Sequence, residues 1–121
     1  MRLDLAIDAV RQASLAAKSV QHDLGRVSEL TKDDRSPVTV ADFAAQAIVA
    51  SMLREADAST PLVGEETSAV LRAPENAGLL NLVTEAVSAA IGAHTPDDVF
   101  TLLDHGGHDA TAREYWVLDP V

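Results

Sequence analysis

A chain of 121 residues, 47% of them apolar and with mean hydropathy near zero, has the makings of one small globular domain. It contains no cysteine, which excludes a disulfide framework and a thiolate metal centre. A net charge of −10 repels a nucleic-acid backbone, and no apolar run approaches the roughly 18 residues of a membrane span, so neither a nucleic-acid polymer nor a membrane is an expected partner.

The start, Met1-Arg2-Leu3-Asp4-Leu5, lacks the apolar core of a signal peptide, and a cytoplasmic location is the expectation. Apolar residues then fall at 3, 7, 10, 13, 17, 20 and 24, predicting an amphipathic helix from Leu3 to Leu24 with Gly25 as its C-cap. Residues 26–38 are polar and carry Lys32-Asp33-Asp34-Arg35 before Ser36-Pro37, which reads as a loop because Pro37 pushes Ser36 out of helical geometry. Thr39-Val40-Ala41-Asp42 has the spacing of a capping box. It predicts a helix with Thr39 as N-cap and Asp42 at the third position, running to about Ala56. On spacing alone Asp42 is a first-turn acid that complements the helix dipole.

Pro61-Leu62-Val63-Gly64-Glu65-Glu66-Thr67 is a short apolar strand followed by two carboxylates, which by themselves read as exposed turn acids. Thr67 to Pro74 is expected to be a loop. From Glu75 to Ile91 apolar residues recur at helical spacing, and Gly92 ends the helix. Thr95-Pro96-Asp97-Asp98 opens another, with Thr as N-cap, Pro at the first position and acids behind it. His105-Gly106-Gly107-His108-Asp109 imitates a transition-metal site, but the paired glycines favour a surface loop. Tyr115-Trp116-Val117-Leu118 reads as a buried strand that runs into Asp119, Pro120 and Val121.

Residues 1–40 hold six basic and six acidic side chains, whereas residues 41–121 hold three basic (Arg54, Arg72, Arg113) and thirteen acidic. That second stretch repels a phosphorylated small molecule unless a cation reverses the local sign. Two strand ends lying side by side would gather Glu65, Glu66 and Asp119. Three carboxylates that close call for a hard divalent ion with oxygen ligands, Mg²⁺ being the usual choice.

Gly64-Glu65-Glu66-Thr67 followed by Trp116-Val117-Leu118-Asp119-Pro120-Val121 resembles the inositol monophosphatase superfamily of metal-dependent phosphatases, whose members carry G-E-E-[ST] and then W-[IV]-[LI]-D-P-[IV]-D-G-T. Lys32-Asp33-Asp34-Arg35-Ser36-Pro37-Val38-Thr39-Val40-Ala41-Asp42 is similar to the K-x-D-x-S-P-V-T-x-A-D segment of its 3′(2′),5′-bisphosphate nucleotidase branch. The 53 residues between Glu65 and Asp119, holding two helices, also look like that branch.

The resemblance implies an α+β fold, a layered α/β/α-type sandwich of the inositol monophosphatase/fructose-bisphosphatase kind. This chain would supply the N-terminal helical layer and the first strands, with sheet edges left for the remainder of the polypeptide or a homo-oligomeric partner. It implies Mg²⁺ held by Glu65, Asp119 and the Val121 carbonyl. It makes Asp42 and Glu66 the catalytic residues, Asp42 helping to orient the attacking water and Glu66 a supporting acid beside the metal ligand Glu65. The loop at 26–38 becomes a candidate active-site flap. The implied substrate is a nucleotide bisphosphate such as 3′-phosphoadenosine 5′-phosphate.

The family pattern continues D-G-T where this chain ends. The expectation is therefore the N-terminal part of such an enzyme over residues 1–121, inactive alone. The alternatives are an inositol monophosphatase or sugar bisphosphatase of the same fold, and a non-catalytic acidic helical interaction module.

Overall fold

The computed structural model describes residues 2–25, 37–56, 62–64, 66–105 and 116–118. In chain order they form helix α1 (Arg2–Gly25), helix α2 (Pro37–Ala56), strand β1 (Leu62–Gly64) and the one-turn helix α3 (Ser68–Arg72). A 3-10 turn (Pro74–Asn76), helix α4 (Ala77–Ile91), helix α5 (Pro96–His105) and strand β2 (Trp116–Leu118) follow. The described residues are mostly helical, with one small parallel sheet.

The core is built on α2. From Val40 to Ala50 every residue but Asp42 is buried, which is the signature of a helix surrounded by others. It packs against α1, α4 and α5. The α1 face turned inward carries Ala9, Ala13, Ala16 and Val20, and not the wider stripe expected from the spacing of its larger residues. Ile7 and Val10 are about half exposed. The reason lies in the partner: α2 is rich in alanine, and small side chains on both helices let the two backbones approach closely.

Helix α2 begins at Pro37, two residues before the expected cap. Proline's fixed φ suits the first helical position, where its missing N–H would go unpaired in any case. Thr39 therefore lies inside the helix instead of capping it, and Asp42 lies in the second turn, leaving the first turn without an acid. The stretch from Thr67 to Pro74 is likewise not a loop throughout, for Ser68–Arg72 is helical. A helix that short is marginal alone, and tertiary contacts hold it: Leu71 is buried in the core and Ser68 bonds to α5.

The later boundaries follow the local chemistry. Gly92 adopts φ of +94° just past α4 and returns its N–H to the Ser88 carbonyl. Thr95 and Asp98 form a reciprocal capping box at the start of α5. The Thr95 N–H donates to Asp98 Oδ2 at 2.9 Å, and the Asp98 N–H donates to Thr95 Oγ1 at 3.2 Å. The Thr95 backbone N–H is the chief reason the Asp98 carboxyl titrates below its ordinary value.

Strands β1 and β2 are parallel, with Leu62 opposite Trp116, Val63 opposite Val117 and Gly64 opposite Leu118. Strand β2 is not buried on both faces. Trp116 and Leu118 pack on the core while Val117 between them is 67% exposed, the alternation of a strand covered on one side. The expected flap lies, apart from Pro37 and Val38, outside the described residues, as does the Gly106–Asp109 part of the His-Gly-Gly-His loop.

Candidate functional site at the paired strand ends

The parallel register decides where the acidic motifs can meet. Gly64 and Leu118 are opposite one another at the C-terminal ends of neighbouring strands. The residues that immediately precede Glu65 and Asp119 in sequence therefore stand at the same end of the sheet. Glu65, Asp119 and Val121 themselves lie outside the described residues. Asp42 and Glu66 are described, and both are half-buried.

What joins these two is a residue that pattern reasoning passed over. Gln46 is fully buried in α2, one helical turn beyond Asp42 on the same face. Its Nε2 donates to the Glu66 carbonyl at 2.7 Å, and its Oε1 accepts from the Glu66 N–H at 2.8 Å. The side-chain amide thus pairs with the Glu66 peptide as an adjacent strand would. A buried polar group left unpaired costs roughly 1–3 kcal/mol, so the two bonds are mutually enforcing.

The same amide accounts for Gly64. A Cβ placed there would lie 2.5 Å from Gln46 Oε1 and 2.6 Å from Gln46 Cδ, inside any tolerable contact. Glycine in the Gly-Glu-Glu-Thr element is required by close passage of a side chain and not by an unusual backbone angle. The signal available in sequence was one amide within the apolar run Phe43-Ala44-Ala45-Gln46-Ala47-Ile48. A buried amide needs partners, but nothing local says which.

Two residues beyond Glu66 the chain is fastened again. Ser68, 4% exposed, donates its hydroxyl to Asp104 Oδ1 of α5 at 2.6 Å and accepts from Arg72 Nε at 2.9 Å. Arg72 Nη2 reaches Asp104 Oδ2 at 3.3 Å, and its guanidinium lies 4.3 Å from the centre of the Phe100 ring. The Ser68 hydroxyl first, and Arg72 after it, hold the Asp104 carboxyl below its ordinary value. Asp42 shifts the other way, because partial burial disfavours its charge and pushes its carboxyl up.

The donor chemistry of Glu65, Asp119 and the Val121 carbonyl is all oxygen, with no thiolate available anywhere in the chain, and this fits a hard divalent cation. Among the described residues no group of three or more His, Asp or Glu is gathered to hold a metal. The fit therefore rests on the donor set and on the strand register, which sets Gly64 and Leu118, the residues before Glu65 and Asp119, at one end of the sheet.

No protein-family model matches the chain. Individual proteins do match it over nearly its whole length. It is 39% identical, over 97% of its residues, to a 3′(2′),5′-bisphosphate nucleotidase of Schizosaccharomyces pombe, of which it covers 37%. To 3′(2′),5′-bisphosphate nucleotidase 1 of Candida albicans it is 34% identical over 98% of its residues, covering 36% of that protein. To 3′(2′),5′-bisphosphate nucleotidase 1 of Arabidopsis thaliana it is 33% identical over 100% of its residues, covering 38%. Over nearly its whole length this chain is similar to proteins named 3′(2′),5′-bisphosphate nucleotidase, and it spans a little over a third of the length of these relatives.

Proposed function

We propose that the complete protein carrying this chain is a Mg²⁺-dependent phosphomonoesterase that removes the 3′-phosphate of 3′-phosphoadenosine 5′-phosphate. The observation that carries the reading is the parallel register of β1 and β2, taken with relatives named for that activity. The layered α/β/α fold of the wider superfamily belongs to the same proposal, with the helices around α2 as its N-terminal layer.

In this reading Glu65, Asp119 and the Val121 carbonyl hold the cation, which when bound would neutralise phosphoryl oxygens and activate water. Asp42 holds the attacking water in line with the phosphorus and draws on its proton. Its half-buried position, with burial pushing its carboxyl above the ordinary value, suits a proton-accepting group better than full solvation would. Glu66, its backbone fixed by Gln46 just past the end of β1, supports the neighbouring ligand Glu65. With so little positive charge in residues 41–121, these groups attract a phosphate only in company with a cation or with basic residues elsewhere in the polypeptide. In the same reading, further polypeptide covers the exposed apolar residues Ile7 and Val10 of α1 and, separately, Val117 of β2.

The test is phosphate release from 3′-phosphoadenosine 5′-phosphate by the complete protein with Mg²⁺ and with EDTA. Activity that EDTA leaves intact would sink the proposal. A higher kcat/KM on inositol 1-phosphate or fructose 1,6-bisphosphate would move the substrate while leaving the site residues in place.

A further inference from the structure

We infer that Gln46 is a positioning residue, and that its amide sets the affinity of the neighbouring carboxylates for the cation. The inference rests on the metal-dependent reading above and adds to it a residue that touches neither metal nor substrate. Gly64 and Glu66 flank Glu65 in sequence, and both are held against Gln46, one by contact and one by two hydrogen bonds. The amide comes from α2, the most buried helix, so it is anchored by the core and not by the segment it positions. Asp42 stands one turn away on that helix, and one rigid element therefore carries both the proposed water-holding acid and the brace for the segment that follows β1.

A brace of this kind acts on the metal site by removing alternatives. With Glu66 held at both its N–H and its C=O, and Gly64 packed close against the same amide, the residues flanking the proposed ligand have little freedom left to lose on binding. Groups that orient metal ligands without touching the metal typically change metal affinity by about 10–100-fold when removed.

The experiment is isothermal calorimetry of Mg²⁺ binding to the complete protein without substrate, with hydrogen exchange at the Glu66 amide as a second readout. Gln46→Leu removes both polar atoms and is expected to weaken Mg²⁺ binding about 10-fold or more, with loss of protection at Glu66. Gln46→Glu keeps an acceptor for the Glu66 N–H but sets a carboxylate oxygen against the Glu66 carbonyl, and an intermediate loss is expected. If Gln46→Leu fails to fold, Gln46→Glu carries the test alone. Val83→Ala, a cavity in the buried face of α4, serves as the control that lowers stability without touching this contact. Wild-type Mg²⁺ affinity in both folded Gln46 variants, or an equal loss in Val83→Ala, overturns the inference. A wild-type protein that binds no Mg²⁺ overturns the cation reading itself, a result distinct from either.

Discussion

The side-chain amide of Gln46 spans the Glu66 peptide, with both hydrogen bonds under 3 Å, and passes directly over the face of Gly64. Three residues, no two of them neighbours in sequence, thus form one packed unit. Gly64→Ala is therefore expected to be destabilising although its backbone angle is ordinary, by about 1–3 kcal/mol as for other overpacked sites. The added methyl displaces the Gln46 amide, so the cost should shrink in a Gln46→Ala background. Denaturant unfolding of the four-member cycle measures this coupling, and additive effects would mean that the two residues do not share a contact.

The second fastening, at Ser68, should matter more than the ion pair beside it. Ser68→Ala removes a short bond to a carboxylate from a buried position, and about 1–2 kcal/mol of lost stability is expected. Arg72 and Asp104 are each about half exposed, so Arg72→Met should cost less than Ser68→Ala. The reverse order in thermal unfolding would show that the guanidinium, through Phe100 or Asp104, is what holds α3 in place.

Asp104 also gives that cluster a pH signature. Its carboxyl titrates lower in the folded state than in the unfolded one, so the stability it contributes is present above its ordinary value and is lost as pH falls through the folded value. Ser68→Ala removes the largest cause of that shift. The gap in stability between parent and variant should narrow on acidification below about pH 4. A gap that stays constant from pH 6 to pH 3 would assign the Ser68 contribution to packing.

How much of this could be read from the chain differs by residue. The α5 cap was legible because Thr95, Pro96 and Asp98 act within four residues of one another. The acidic elements were legible as motifs, and the strands that precede them, Leu62–Gly64 and Trp116–Leu118, pair in parallel register. The start of α2 was misjudged because Thr39 offers a good cap, and proline at the first position outweighs it. Helix α3 was missed because its partners, Asp104 above all, lie more than thirty residues away. Gln46 was missed for the same physical reason: the sequence displays a polar residue in an apolar helix, but its hydrogen bonds run to a backbone twenty residues on.

Asp42 provides the sharpest separation of a structural from a catalytic role. Burial raises its carboxyl above the unfolded value, so the folded state binds that proton more tightly. The sign follows: the stability contribution is fully present below the unfolded value and is lost as pH rises through the folded one, above which the charged form is a burden. Asp42→Asn, similar in shape and uncharged, should then be no less stable than the parent at pH 7 in EDTA. The difference should fade toward pH 4 and below. The rate of phosphate release by the complete protein should nevertheless fall about 100-fold or more, the usual span for loss of a positioned proton acceptor. A cap or a surface acid would behave in the opposite way, losing stability and keeping rate. If Asp42→Asn retains the parent's kcat while its melting temperature drops, Asp42 belongs to the helix and not to the reaction.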